Sequence, residues 1–144
     1  MRRLLQDAKV ESLGRCQLFE GLSRKQLTEL ARLTEDVEVP AGAVVWHEGA
    51  IGYEFCVIVE GEAEVTRRGR RLATCGAGDF LGEIALIERV PRTATVTAKT
   101  PLRAFVLTGG NLKTVLDHNP GVKRTVLRAL ARRVLALAQD PTLA

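Results

Sequence analysis

The stretch that decides the fold runs from residue 80 to residue 95 and reads F-L-G-E-I-A-L-I-E-R-V-P-R-T-A-T. Gly82 has no side chain, so an anionic group can approach the backbone there. The apolar turn at 84–87 would point unpaired backbone N–H groups at that anion, as the start of a helix does. Arg92 adds a planar, permanently charged guanidinium that suits a phosphate, whereas Glu83 only accepts hydrogen bonds and suits sugar hydroxyls. The stretch therefore predicts a site for a compact phosphate ester with a hydroxyl beside it.

The same stretch resembles the phosphate-binding cassette of the cyclic nucleotide-binding domain family, which reads roughly F-G-E-[LI]-A-L-x-x-x-x-P-R-[AT]-A-[ST]. The match has no gap, and Leu81 stands where the family usually has Phe. The resemblance implies that Glu83 binds the ribose 2′-hydroxyl and Arg92 the cyclic phosphate, with backbone N–H groups completing the cradle. The predicted ligand-binding residues are Leu81, Gly82, Glu83, Ile84, Ala85, Arg92, Thr93 and Ala94.

The choice of base depends on the residue after the arginine. Thr93 stands where cAMP-selective kinase domains of the family often carry Ala. A hydroxyl at this position can bond the 2-amino group of a syn guanine, as the family does in cGMP-responsive members. Some cAMP-preferring channels of the family also have Thr, and a β-branched residue can simply open a strand. We predict cAMP as the ligand, with measurable binding of cGMP.

The sequence around the cassette predicts a mainly β fold with flanking α-helices. Short apolar or alternating segments, such as 44–46, 55–59 and 102–107, are separated by glycine-rich turns, which is typical of a barrel or sandwich. The number of segments fits an eight-stranded jelly-roll barrel, that is, a double-stranded β-helix. In this fold the cassette, with its short helix, interrupts the sheet between strands six and seven.

Helices are predicted on both sides of the strands. Ser23 and Gln26 form a capping-box pattern at the start of one helix, and Pro120 opens the last, which runs to about Ala138. We expect a helical segment at 1–33, a cyclic-nucleotide-binding barrel at 34–108 with its cassette at 80–95, and hinge and lid helices at 109–144. The resemblance implies that the last helix moves over the base, with a lid residue between Val134 and Leu137.

Composition argues against several other classes of protein. The 144 residues carry a net charge of +4 and contain no apolar run long enough to span a membrane. The three cysteines form no C-x-x-C pair, which favours reduced thiols in a cytoplasmic protein over a metal site. The two histidines are too few and too far apart for a metalloenzyme of the cupin type. We therefore predict no catalytic residues, no metal ligands and no catalytic cofactor, and the protein is not expected to be an enzyme.

The partner predicted most directly is the cyclic nucleotide itself. Arginines cluster at 67–71 and again after residue 123, but a hairpin tip and a helix face are ordinary places for solvated charge, and the chain has no DNA-binding motif. We expect a regulatory or sensor domain whose C-terminal helices move on binding. The alternative is the regulatory part of a catabolite-activator-type transcription factor without its DNA-binding part. A homodimer and a fused or associated effector domain are both compatible with the apolar terminal helices.

Overall fold

The computed structural model of the chain describes residues 2–82 and 90–138, which contain four α-helices and ten β-strands. The helices are α1 (Arg2–Arg15), α2 (Arg24–Leu33), α3 (Gly109–His118) and α4 (Pro120–Ala138), and a 3₁₀ turn covers Gln17–Phe19. The strands are β1 (Glu35–Val39), β2 (Val44–Trp46), β3 (Ile51–Gly52), β4 (Glu54–Glu60), β5 (Ala63–Arg67), β6 (Arg70–Cys75), β7 (Phe80–Leu81), β8 (Val90–Pro91), β9 (Thr95–Ala98) and β10 (Leu102–Thr108). The predicted cassette helix falls on residues 83–89, outside the described residues.

Eight strands form two four-stranded antiparallel sheets, in the orders β1-β10-β4-β7 and β2-β9-β5-β6. The remaining two, β3 and β8, pair with each other as a short ribbon. Counted over the two sheets, the undescribed segment 83–89 lies between the sixth and seventh strands, as predicted. The mainly β jelly roll is thus confirmed. Within the described residues, however, the sheets face each other without closing into a barrel, because each edge strand is hydrogen-bonded only inside its own sheet.

The first sheet is buried on both faces, and strand β4 shows this most clearly. Phe55 and Val57 belong to a core shared with the helices, whereas Cys56 and Ile58 belong to a second core between the two sheets. Successive side chains of a strand point to opposite faces, so one strand serves both cores. The molecule therefore has three layers, namely helices, the β1-β10-β4-β7 sheet and the β2-β9-β5-β6 sheet.

The helical layer packs against this sheet through aromatic and aliphatic side chains. The ring of Phe55 contacts the rings of Phe19 and Phe80, each with centroids 5.8 Å apart.

The capping box at α2 is confirmed, since the Ser23 hydroxyl accepts from the Gln26 N–H at 3.1 Å and the Gln26 side chain accepts from the Ser23 N–H at 2.8 Å. Helix α4 covers Pro120–Ala138 of the described residues and buries Val122, Val126 and Leu130 in the same core. No helix in the described ranges combines the length and the apolarity that a membrane span needs.

Two connections between strands are defined in detail by the structure. In the glycine-containing connection after β2, Ile51 and Gly52 pair with Pro91 and Val90 in the β3–β8 ribbon. The arginine-rich hairpin between β5 and β6 turns tightly at Arg68 and Gly69, which have φ values of 52° and 77°. Two consecutive positive φ angles are typical of the type I′ turn that matches the twist of a hairpin.

Candidate functional site

A cavity of about 180 Å³ lies between the two sheets beside the cassette. Most of its lining is aliphatic, and Glu35 and Glu54 are its two charged members. The lining residues are Glu35, Val37, Val39, Val44, Val45, Trp46, Glu54, Cys56, Leu81, Val96, Leu102, Ala104 and Val106. A mainly apolar cleft with a few polar groups at one side is the usual form of a small-molecule site.

Arg92 is not among the residues that line this cavity, but its guanidinium contacts Trp46 and Glu54, which do line it, and its backbone is held by hydrogen bonds. Its N–H donates to the carbonyl of Ala50 at 2.8 Å, and its own carbonyl accepts from the N–H of Gly49 at 2.8 Å. Its guanidinium donates through Nη2 to the backbone carbonyl of Glu54, also at 2.8 Å. The β3–β8 ribbon and the start of β4 therefore hold the arginine in one orientation.

The guanidinium also stacks on the indole of Trp46, with Cζ 3.8 Å from the ring centroid. Burial lowers the pKa of Arg92, and the ionised forms of the nearby Cys56 and Glu54 side chains act in the opposite direction. A guanidinium starts from a pKa so far above neutrality that it remains protonated. The site therefore presents a permanent cation that is partly removed from water.

Two glycines make room for this arrangement. A Cβ on Gly52 would overlap the Nε, Cζ and Cδ atoms of Arg92. A Cβ on Gly82 would lie 2.7 Å from Nη1 of Arg92, 2.7 Å from the carbonyl oxygen of Glu54 and 3.1 Å from the indole of Trp46. Gly82 also has a φ of 82°, a conformation that side-chain-bearing residues rarely adopt. The absence of a side chain at both positions is what lets the arginine, the carbonyl and the indole converge.

The structure brings together some of the predicted site residues. Leu81 lines the cavity, and Gly82 lies against the guanidinium of Arg92, so these three predicted residues lie close together. Ala94 is buried, whereas Thr93 is exposed and uses its carbonyl to accept from Nε of Arg67 at 2.8 Å. The other predicted residues, Glu83, Ile84 and Ala85, lie outside the described residues, as do the side chains of Val134 and Leu137.

Three further residues belong to the site and were missed from the sequence. Trp46, Gly52 and Glu54 all contact Arg92, but they precede it by about forty residues, so no local spacing connects them to it. The available signal was weak: Gly52 is a glycine just ahead of a buried strand, and such a glycine can mark the close approach of another chain segment.

Cys56 is a buried thiol on the cavity wall, facing away from the helices. Burial raises its pKa to about 12, although the nearby charge of Arg92 acts in the opposite direction. A thiol with this pKa is neutral at physiological pH and a poor nucleophile. Cys56 thus contributes apolar surface to the cavity rather than reactivity.

The comparisons with known proteins agree with this geometry. Residues 36–119 match the family model described as the cyclic nucleotide-binding domain. The chain is 45% identical over 123 residues to a cAMP-dependent protein kinase regulatory subunit of Yarrowia lipolytica, an alignment that covers 81% of this chain and 32% of that protein. It is 30% identical over 129 residues to a CRP-like cAMP-activated global transcriptional regulator of Mycobacterium tuberculosis, covering 86% of this chain and 58% of that protein.

A solved structure gives the same result. The N-terminal domain of a transcriptional regulator from Streptomyces coelicolor A3(2) superposes with a TM-score of 0.78 at 35% identity, covering 87% of this chain and 91% of that one. The two curated relatives are named as regulators or regulatory subunits, and this chain spans 58% or less of their length. On the match to the family model, the sequence identities and the shared fold, the chain belongs to the cyclic nucleotide-binding domain family.

Proposed function

We propose that this domain binds cAMP, and cGMP more weakly, and that Arg92 holds the cyclic phosphate. The observation that carries the proposal is the state of that arginine. Arg92 is half-buried against Trp46 and Glu54, which line the apolar cavity, and the hydrogen bond of its guanidinium within the described residues goes to a neutral carbonyl. A partly dry cation gains strongly from an anionic partner, because charge-assisted hydrogen bonds are stronger than neutral ones.

The remaining contacts are proposed from the family to which the chain belongs. Glu83 would accept from the ribose 2′-hydroxyl, and the backbone N–H groups of Ile84 and Ala85 would complete the phosphate cradle. Leu81 and Gly82 would border the phosphate and sugar, and Thr93 and Ala94 would lie near the base. The apolar cavity between the sheets would bury the ring faces of the ligand, for which dry aliphatic walls are suited.

The experiment is a calorimetric titration of the wild-type protein and the Arg92→Leu variant with cAMP and cGMP. Loss of a charge-assisted pair of this kind costs about 2–5 kcal/mol, or roughly 30-fold to several-thousand-fold in affinity. Arg32→Leu removes the same charge from an exposed position on α2 and should bind like the wild type. Equal affinities for Arg92→Leu and Arg32→Leu would refute the role of Arg92.

Glu83→Ala should weaken binding less than Arg92→Leu does and should abolish discrimination against 2′-deoxy-cAMP.

We further propose a regulatory rather than enzymatic role. In this proposal residues 34–108 bind the nucleotide, residues 109–144 form the hinge and lid, and residues 1–33 pack against them. The output would pass to a second copy or to an effector domain. The likeness to the N-terminal domain of a transcriptional regulator favours an effector that acts on transcription. Nucleotide that stays intact during prolonged incubation with the protein is the expected result, and its hydrolysis would overturn the non-enzymatic role.

A further inference from the structure

We propose that Trp46 is the positioning residue for Arg92, and that its indole face sets the affinity for the anionic ligand. This inference rests on the proposed function and deepens it by adding a residue outside the cassette. Three features of the structure support it, namely the shape of β2, the stack on the guanidinium and the convergence at Gly82.

Strand β2 carries an irregularity that turns Trp46 toward the site. Val44 is opposite Thr97 on β9, but Trp46 is opposite Val96, so two steps along β2 correspond to one step along β9. An extra residue of this kind is a β-bulge, and bulges redirect the side chains that follow them. Trp46 is accordingly half-buried against the core between the sheets and lines the cavity.

The indole covers one face of the guanidinium, with 3.8 Å between Cζ and the ring centroid. A stacked guanidinium keeps its in-plane N–H groups available for hydrogen bonds, because the stack uses only the face. One of these groups already donates to the Glu54 carbonyl at 2.8 Å. Trp46 therefore restricts the rotation of the arginine without competing for its donors.

The same indole approaches the first residue of the cradle. A side chain on Gly82 would meet both Trp46 and Nη1 of Arg92, so the indole and Nη1 converge on the glycine of the cassette. An arginine that is already ordered loses less conformational entropy when the ligand binds. We infer that removal of the aromatic face weakens nucleotide binding even though Trp46 carries no charge.

The test compares Trp46→Leu with Trp46→Phe by calorimetric titration with cAMP, and urea unfolding of each variant checks the fold. A partly desolvated stack corresponds to roughly 2- to 30-fold in affinity. We expect Trp46→Leu to bind cAMP about tenfold more weakly than the wild type and Trp46→Phe to stay within about threefold. Phe and Leu are similar in bulk, but only Phe keeps an aromatic face on which the guanidinium can stack. Leu72→Ala, which removes an exposed apolar side chain on β6, should have no effect.

The outcomes separate this inference from the proposed function. A Trp46→Leu variant that binds within twofold of the wild type, or a Trp46→Phe variant that is as weak as Trp46→Leu, would overturn the role of Trp46 alone. A wild-type protein that binds neither nucleotide would overturn the proposed function. Should Trp46→Leu fail to fold, the emission of Trp46, which is the only tryptophan, still decides the contact: Arg92→Leu must shift it in the absence of nucleotide, and an unchanged spectrum would refute the stack.

Discussion

Substitution of Gly52 should displace the side chain of Arg92 while leaving the arginine itself unchanged. A Cβ at this position would overlap the arginine side chain, while the φ of Gly52 lies outside the left-handed region, so alanine fits the backbone but not the site. Displacing the guanidinium from its anion removes a charged hydrogen bond, worth about 1.5–3 kcal/mol, so Gly52→Ala should bind cAMP roughly 10- to 150-fold more weakly. Calorimetric titration measures the effect.

The matched control for this substitution is Gly110→Ala. Gly110 lies in α3 with nothing within 4 Å of a Cβ, so alanine should leave affinity unchanged and add about 0.5–1 kcal/mol of stability through helix propensity. If the two variants bound cAMP equally well, the proposed packing of Gly52 against the functional arginine would be wrong.

Cys56 should make the protein less stable at alkaline pH. Its pKa is raised from an ordinary value of 9.0 to about 12, chiefly by burial, so between these values the unfolded chain ionises the thiol and the folded chain does not. The free energy of unfolding is therefore highest below pH 9 and falls above it, by about 1.4 kcal/mol per pH unit from this group.

Urea unfolding of the wild type and Cys56→Ala at pH 8 and pH 10.5 isolates this contribution, because the loss of packing at position 56 does not depend on pH. The stability advantage of the wild type should shrink by about 2 kcal/mol between the two pH values. Parallel pH profiles for the two proteins would show that Cys56 is not held neutral in the folded state.

At the scale of single residues, the sequence allowed Arg92 and Gly82 to be predicted as site residues, but not the groups that surround them. Arg92 and Gly82 were predicted because a permanently charged side chain and a missing side chain, both within one short motif, can be recognised from residue type alone. Trp46 and the Glu54 carbonyl were not predicted, because their contacts with Arg92 depend on how β2 and β4 are placed in three dimensions. A backbone carbonyl in particular has no signature in sequence, since every residue has one.

At the scale of the elements, β10 determines how much space remains between the sheets. Ala104 is buried and lines the cavity, so Ala104→Val would extend two methyl groups into it. Burial of each added carbon stabilises by about 0.8 kcal/mol, and we expect the free energy of unfolding to stay equal or rise by about 1 kcal/mol. The affinity for cAMP should fall about tenfold or more, because the ligand must displace or avoid the added volume.

Ala98→Val provides the matched control for that substitution. Ala98 is buried in the same core on β9 but does not line the cavity, so its extra methyl groups have no space to enter. Overpacking of this kind costs about 1–3 kcal/mol of stability. Urea unfolding and titration of both variants compare the two positions, and an Ala104→Val variant that behaved like Ala98→Val would contradict an open cavity at Ala104.

Helices and strands were predicted correctly where their sequence pattern extends over several residues. The alternation in β9 and β10 and the capping box of α2 each extend over at least four residues, and all three were located correctly. Strands β3, β7 and β8 have only two residues each, and two residues cannot display a period. Their existence depends on partners far away in the chain, such as Pro91 for Ile51.

For the whole molecule, the proposed response to nucleotide is a change in α4. This helix buries Val122, Val126 and Leu130 in the core that also contains Phe55 and Phe80, so a movement of the first sheet can reach it. Amide hydrogen exchange across residues 120–138 should change when cAMP binds to the wild type and should not change in Arg92→Leu. A ligand shifts such an equilibrium only by its differential affinity for the two states, so identical protection in both conditions would refute the movement.

The alternating strand β4 has a further consequence for folding. A shift of one residue in its pairing with β10 would turn Phe55 and Val57 toward the second sheet and leave Cys56 against the helices. Phe55 and Val57 would then crowd the cavity between the sheets, and the helical layer would lose the contacts of Phe55 with Phe19 and Phe80, so packing on both faces disfavours the misaligned pairing. The contrast between the Phe55 ring on one face of β4 and the small Cys56 side chain on the other therefore favours a single alignment of β4 with β10 during folding.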